Sequence, residues 1–151
     1  MKRLFFLLFL LFSISALAQN SERIISPNIK SVKLHKWGDQ TSFPALVLNS
    51  ADALELHFDD LDGNIKNYYY SFQLCNADWT PSMLTTFDYV KGFQSVRITT
   101  YRNSSIATTR YTHYQATIPD RNSTPSRSGN YLLKVFLNGD TSQLAFTRRF
   151  V

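Results

Sequence analysis

The chain has 151 residues, a formal net charge of +5, a single cysteine and an aromatic content of 15%. This length suits one domain with a core of its own. The positive charge is modest and spread along the chain, which argues against a nucleic-acid-binding protein, whose Lys and Arg residues cluster. One cysteine, Cys75, excludes an intrachain disulfide, and we expect it to be a small buried side chain.

The first residues have the pattern of an export signal. Two basic residues precede the apolar run Leu4–Phe12, and residues 16–18 read Ala-Leu-Ala, a small-x-small cleavage site. The run is shorter than the about 20 residues that cross a bilayer as a helix. We therefore expect a signal peptide at residues 1–18, a flexible lead-in at 19–28 and an exported domain at 29–151, with no direct membrane insertion.

The rest of the chain alternates apolar and polar residues in short runs, as strands with one buried face do. In chain order, the predicted strands are Ile29–Trp37, Phe43–Leu48, Ala53–Phe58, an aromatic strand within Asn67–Thr80, Val96–Tyr101, Arg110–Ile118, Tyr131–Leu137 and Ser142–Val151. Polar connections at 76–88, 102–109 and 119–129 separate them. Pro44 in the second strand suits a sheet edge or a bulge.

The aromatic strand organises this pattern. Tyr68, Tyr70, Phe72 and Leu74 fall on one side of an extended chain, and Trp79 leaves from its end. We predict that this strand is the middle of a β-sandwich. Tyr131 starts the penultimate strand, the position at which immunoglobulin-like domains often carry a corner tyrosine, although plain core packing would explain it equally well.

Two turns carry recognisable signals. Asn138-Gly139 favours a type I′ two-residue hairpin, because both residues tolerate a positive φ. The segment Asp59–Asn64 has three carboxylates before Gly63, but it lacks the later acidic residue of an EF-hand and is flanked by strands. We therefore interpret it as a solvated turn and predict no metal site.

Seven to eight short strands with polar turns predict an all-β fold, an antiparallel β-sandwich of immunoglobulin or fibronectin type. A small closed β-barrel is the alternative.

No set of residues converges on catalysis. His35, His57 and His113 lie on three different predicted strands, each on an outward face, so we expect solvated surface histidines. The sequence has no Gly-x-Ser-x-Gly motif, no glycine-rich phosphate loop and no zinc-ligand spacing. We predict a binding or structural module without enzymatic activity or cofactor.

The aromatic content exceeds what a small sandwich must bury, so part of it is expected on the surface, where aromatic and Arg side chains often anchor protein interfaces. The candidate protein-binding residues are Tyr69, Trp79, Tyr101, Arg110, Tyr111 and His113. The same aromatics would also suit carbohydrate binding.

Longer strings carry a family resemblance. They are Lys33–Lys36 with Gly38–Gln40, Phe58–Gly63, Asn67–Tyr70, Gln73–Trp79, Tyr89–Gly92, Thr109–Tyr114 and Ser128–Tyr131. Together they resemble the N-terminal domain of the plug protein of the type 9 secretion system of Bacteroidota, formerly a domain of unknown function. The resemblance covers essentially the whole of residues 29–151.

The resemblance implies a non-catalytic periplasmic protein associated with the outer membrane. Its expected partner is the outer-membrane translocon barrel, on which it would dock and whose periplasmic opening it would seal. Family members are usually longer, so we expect this domain to be the first of several. A carbohydrate-binding or esterase-associated immunoglobulin-like module is the alternative function.

Overall fold

The computed structural model describes residues 22–105 and 108–151. The predicted signal peptide, and the first residues of the lead-in, lie outside this part of the chain. The elements of the described residues are β1 (Arg23–Ile24), β2 (Ile29–Lys36), β3 (Leu54–Asp60), β4 (Tyr68–Cys75), the single-turn helix α1 (Thr86–Tyr89), β5 (Val90–Gly92), β6 (Ser95–Arg97), β7 (Thr100–Asn103), β8 (Thr112–Ile118), β9 (Ser123–Pro125), β10 (Asn130–Leu137) and β11 (Leu144–Phe150).

The strands form two main antiparallel sheets. One has the order β1-β11-β10-β4-β6 and the other the order β2-β3-β8-β7, and β5 pairs with β9 in a separate ribbon. The orders β2-β3-β8-β7 and β4-β10-β11 are those of the two sheets of an immunoglobulin-type sandwich. The predicted all-β sandwich is confirmed. Since the two sheets do not close on each other, the alternative of a small barrel is wrong.

Aromatic side chains from both sheets fill the core. Tyr68, Tyr70, Phe72 and Leu74 are all buried, as predicted, and β4 lies inside its sheet between β10 and β6. The ring of Phe58 on β3 meets that of Tyr68 edge-on at 5.0 Å. Removing a side chain such as Phe58 from water contributes about 1.5–3 kcal/mol, so this layer is a large part of the domain's stability.

The predicted strand Val96–Tyr101 is two strands in different sheets. Its first half, β6, pairs with β4, whereas its second half, β7, pairs with β8. Ile98 lies between them, 3% exposed, and its N–H donates to Tyr68 O at 2.8 Å. Burial of Ile98 between the sheets allows the chain to cross from one sheet to the other.

Two segments near the chain ends also differ from prediction. Residues 43–48 do not form a strand. Instead, Leu46 N–H donates to Val151 O at 2.7 Å and Val151 N–H donates to Pro44 O at 3.1 Å. In the lead-in that was expected to be flexible, β1 pairs with β11 and extends the edge of the five-stranded sheet.

The turn at Asn138-Gly139 has the predicted conformation in a longer loop. Asn138 and Gly139 both have positive φ values, 55° and 73°, and Asp140 N–H donates to Leu137 O at 2.9 Å. A second turn follows, in which Gln143 N–H donates to Asp140 O. The hairpin loop therefore runs from 138 to 143 and is not a two-residue connection.

The tyrosine at the start of β10 is a corner tyrosine. Tyr131 is 2% exposed, and its hydroxyl donates to Arg127 O, four residues upstream, at 2.8 Å. This is the contact that characterises such corners in immunoglobulin-like domains. It attaches the end of the 119–129 connection to the core.

The acidic turn after β3 is stabilised by a buried carboxylate. Asp60 is 0% exposed and accepts hydrogen bonds from the Tyr68 hydroxyl and from Lys66 Nζ, each at 2.8 Å. Lys66 Nζ also contacts Asp62, whose other carboxylate oxygen accepts from Asn28. The interpretation as a turn is confirmed, but Asp60 is not solvated.

Candidate interaction surfaces

The six predicted protein-binding residues do not form one patch. Tyr69 and Trp79 belong to the five-stranded sheet and to the connection that follows β4. The other four, Tyr101, Arg110, Tyr111 and His113, lie on or beside β7 and β8 of the four-stranded sheet. Because the two sheets pack face to face, the two groups occupy different sides of the domain.

Tyr69 and Trp79 each pack against a residue from a distant part of the chain. Tyr69 points away from the core, and its ring stacks on Phe136 of β10 with 6.3 Å between centroids. The Arg149 guanidinium of β11 lies 4.3 Å from the centre of the Trp79 ring. Stacked aromatic and Arg side chains of this kind are enriched at protein interfaces.

The backbone of Trp79 is held in an unfavourable conformation. Its φ of 65° lies in the left-handed region, which bulky side chains rarely occupy. Hydrogen bonds from Asn76 N–H to Thr80 O and from Trp79 N–H to Asn76 O close the tight turn around it. A strained residue that its surroundings fix in place is a reason to look for function there.

Three large apolar side chains in the same connection face solvent, and sequence reasoning missed them. Met83 is fully exposed, Phe87 is 82% exposed and Phe93 is 66% exposed. No alternation marks them, because this segment is neither a long strand nor a long helix. We refer to residues 76–94, which also include Trp79, as the apolar connection.

The apolar connection is anchored to the sandwich on its inner side. Tyr89 and Val90 are buried, and Val90 pairs with Pro125 in the β5–β9 ribbon. Asp88 accepts hydrogen bonds from the Thr85 N–H and hydroxyl at the start of α1. These contacts hold the backbone while leaving Phe87 and Phe93 outside.

The second group of predicted residues is more dispersed. Tyr101 is 40% exposed and lies 5.9 Å from the Tyr114 ring. Arg110 is exposed, and Tyr111 is half-buried, with its N–H donating to Ser104 Oγ at 3.0 Å. His113 belongs to a separate cluster.

The three histidines stack in a row across β2, β3 and β8. Ring centroids are 5.5 Å apart for His35 and His57 and 5.4 Å apart for His57 and His113. All three lie on the outer face, as predicted, but His35 is only 2% exposed, so the expectation of a solvated side chain is wrong for it. Antiparallel pairing brings the three strands together, and this pairing could not be predicted from the sequence.

Hydrogen bonds link this histidine cluster to acidic groups. His113 Nδ1 lies 2.7 Å from Asp59 Oδ1, and His113 Nε2 lies 3.2 Å from His57 Nδ1. His57 Nε2 and His35 Nδ1 are each 4.0 Å from Glu55 Oε2. Burial, together with the charge on His113, lowers the pKa of His57, so its ring is neutral near pH 7.

The domain also has an apolar groove and a buried thiol. A mainly apolar groove of ≈540 Å³ lies between residues 45–52 and the 124–131 region, with Tyr131 and Phe150 in its wall. Cys75 is buried, as predicted, and burial raises the pKa of its thiol. Within the described parts of the chain, 22–105 and 108–151, no helix has the length and apolar character needed to cross a membrane.

The fold and its surfaces define an immunoglobulin-like β-sandwich domain with a solvent-exposed apolar connection. Residues 29–151 match the family model of the type 9 secretion system plug protein, first domain, and the chain belongs to this family.

A crystal structure of a hypothetical protein from Parabacteroides merdae is similar, with 31% sequence identity and a TM-score of 0.83. The match covers 89% of this chain and 34% of that chain, so this chain spans about a third of its length. Comparison with curated proteins gives no match.

Proposed function

We propose that this domain is a non-catalytic subunit of the type 9 secretion translocon, exported to the periplasm, that docks on the outer-membrane barrel and contributes to sealing its periplasmic opening. The observation that carries the proposal is the family match over residues 29–151. The sandwich suits this role, because a seal needs a rigid shape and a contact that can be released when cargo passes. Modest interfaces with a few aromatic anchors are of this reversible kind.

The apolar connection, together with Tyr69 of the five-stranded sheet, is the docking surface that we propose. It presents the exposed Phe87 and Phe93 and the half-buried Trp79 on a backbone fixed by buried residues, so little conformational freedom is lost on binding. Exposed apolar side chains of this size would otherwise favour aggregation, which makes a protein partner the simplest reason for them.

Co-purification of the translocon barrel with the full-length plug protein tests this proposal. Trp79→Ala and Phe87→Ser should each reduce the barrel protein recovered, with the circular dichroism spectrum and the urea midpoint of the purified variants unchanged. Trp37→Ala is the matched control, because Trp37 is 67% exposed but follows β2 on the other sheet. Tyr101→Ala tests the second group of predicted residues in the same way.

Each outcome is informative. If the barrel protein never co-purifies with the wild-type chain, the proposed role is wrong. If it co-purifies and only Tyr101→Ala or Arg110→Ala reduces recovery, the role stands and the docking surface moves to β7 and β8.

A further inference from the structure

An uncommon arrangement of nitrogen and oxygen atoms lies on the outer face of the four-stranded sheet. One nitrogen of His35, one carboxylate oxygen of Glu55 and one nitrogen of His57 all lie within 4.8 Å of one another. His35 and Glu55 are direct cross-strand partners on β2 and β3, and His57 follows Glu55 by two residues, on the same face. We call these three residues the His-Glu-His triad.

Hydrogen bonds from neighbouring residues decide which ring nitrogen of each histidine in the triad can bind an ion. An ionised Asp59 only accepts, so His113 Nδ1 carries the proton between them. When His57 carries its proton on Nδ1, that nitrogen donates to His113 Nε2, 3.2 Å away, and His57 Nε2 is the nitrogen able to bind an ion. His57 Nε2 lies 4.0 Å from Glu55 Oε2. A cation held between these two atoms would be ligated by both.

His35 supplies the second, independent observation. Its Nδ1 lies 2.9 Å from Lys36 O, which can only accept, so Nδ1 is the protonated nitrogen. Its Nε2 is buried and has no hydrogen-bond partner. A buried imidazole nitrogen without a partner costs free energy unless something binds it.

The surroundings of the triad are those of a metal site. Metal-binding histidines usually donate their second ring nitrogen to a carboxylate or backbone carbonyl, as His35 does directly and His57 does through His113. Glu55 is oriented by Gly38 N–H at Oε2 and by Gln115 Nε2 at Oε1, each at 3.4 Å. His57 and Glu55 side chains are 21% and 17% exposed, which leaves an entry path.

From these contacts, the geometry points to a binding site for one divalent transition-metal ion of the Zn²⁺ class, ligated by His35, Glu55 and His57. Two imidazoles and one carboxylate suit Zn²⁺ and disfavour Mg²⁺ and Ca²⁺, which take oxygen ligands. Ligands about 2.0–2.1 Å from a tetrahedral Zn²⁺ lie about 3.3 Å apart, whereas the triad atoms lie within 4.8 Å of one another, so the side chains must close by up to about 1.5 Å. His35 Nδ1 is the nitrogen that lies 4.0 Å from Glu55 Oε2, so binding through His35 Nε2 also requires this side chain to rotate. A water would complete the coordination.

Other charged groups around the triad set how tightly an ion is held. Lys33, paired opposite His57, repels a cation, whereas Asp59 and the nearby Asp39 attract one. The bound ion would link β2 to β3 in a domain whose one cysteine cannot form an intrachain disulfide.

Titration of Zn²⁺ against the purified full-length chain, with any affinity tag removed and a chromophoric chelator as competitor, tests the site. We expect one Zn²⁺ per chain. Glu55→Gln and His57→Gln should each weaken binding by at least ten-fold, and His113→Gln, a positioning residue, by about 10–100-fold. Asp140→Asn, an exposed carboxylate at the β10–β11 loop, is the matched control and should bind as the wild type does.

Histidine ring signals in NMR spectra give a readout that a purely structural effect would not produce. Zn²⁺ should shift the His35 and His57 signals at one equivalent. Absence of saturable binding, wild-type affinity in folded Glu55→Gln, or shifts confined to other residues would each overturn the proposal.

Discussion

Replacement of Asp60 by Ala tests whether the buried acidic turn stabilises the sandwich. The carboxylate is fully buried and accepts from three donors: the Tyr68 hydroxyl, Lys66 Nζ and Asp62 N–H. Breaking a buried ion pair by removing one partner costs about 3–5 kcal/mol, because the other charge is left uncompensated. Lys66 is 27% exposed and retains its contact with Asp62, which places the expected loss at about 3 kcal/mol.

Lys66 and Tyr68 respond to this carboxylate in the expected directions. Burial alone would lower the pKa of Lys66, but hydrogen bonds to Asp60 and Asp62 outweigh it, so the pKa is raised. Burial, and then the hydrogen bond to Asp60, raise the pKa of Tyr68. Both residues therefore stay protonated and donate to Asp60 at neutral pH.

Urea unfolding followed by fluorescence measures the effect. Tyr68→Phe should cost about 1–2 kcal/mol, since it removes one donor and leaves Asp60 paired with Lys66. In the double variant Asp60→Ala/Tyr68→Phe, the loss of stability should be smaller than the sum of the two single losses. The reason is that no Tyr68 hydroxyl is then left without a partner. Asp62→Asn, on the same turn but exposed, is the charge-matched control and should change the midpoint little. If Asp60→Ala is no more destabilising than Asp62→Asn, the buried network does not stabilise the fold.

Three further predictions concern stability. Tyr131→Phe should destabilise by about 1 kcal/mol, because Arg127 O loses its donor; an unchanged urea midpoint would show that the corner contact contributes nothing. Gly92→Ala should destabilise the domain several times more than Gly139→Ala. Both glycines have positive φ, so both substitutions strain the backbone. A Cβ at Gly92 would also lie 2.0 Å from Asn122 O, whereas a Cβ at Gly139 would have no atom within 4 Å. Burial raises the pKa of Tyr131 to about 12, above its unfolded value of about 10, so stability should be constant below pH 10 and fall as the pH rises towards 12, in urea titrations at fixed ionic strength.

Alternation of side chains was sufficient to predict most strands and the core face of β4. Side chains at alternate positions of a strand share one face, so Tyr68, Tyr70 and Phe72 are either all buried or all exposed. A one-residue register shift would expose all three rings to water, which is unfavourable. The corner contact of Tyr131 was one of two explanations that its place at the start of the penultimate strand allowed, the other being plain core packing. These features depend on local sequence and on burial alone.

Features that depend on which strands pair could not be predicted in the same way. Val96 to Tyr101 alternates without a break, yet Ile98 divides it between two sheets. The contact of Trp79 with Arg149 joins the middle of the domain sequence to its last strand. Phe87 and Phe93 are exposed because Tyr89 and Val90, which lie between them, take the buried positions. All four residues are apolar, so composition alone does not indicate which of them will be buried.

The histidine cluster shows the same limit most clearly. Each histidine alone reads as a surface residue, and none has a ligand within the usual sequence spacing of a zinc site. Once β2, β3 and β8 are adjacent, the alternation of side chains places all three histidines on one face. The pairing of His35 with Glu55 then brings the carboxylate beside the two imidazoles of His35 and His57. A search for outward His and acidic residues on strands predicted to be neighbours would have found them.

The apolar connection and the His-Glu-His triad belong to different sheets, and this separation makes their roles distinguishable. Contacts that fix Phe87 and Phe93 run through the β5–β9 ribbon and the five-stranded sheet, whereas an ion at the triad would act on the pairing of β2 with β3. Sites without shared partners usually contribute additively. A metal that strengthens β2–β3 pairing would thus stabilise the domain without altering the proposed docking surface. Docking that depended on Zn²⁺ would require a coupling through the core, where Phe58 of β3 contacts Tyr68 of β4.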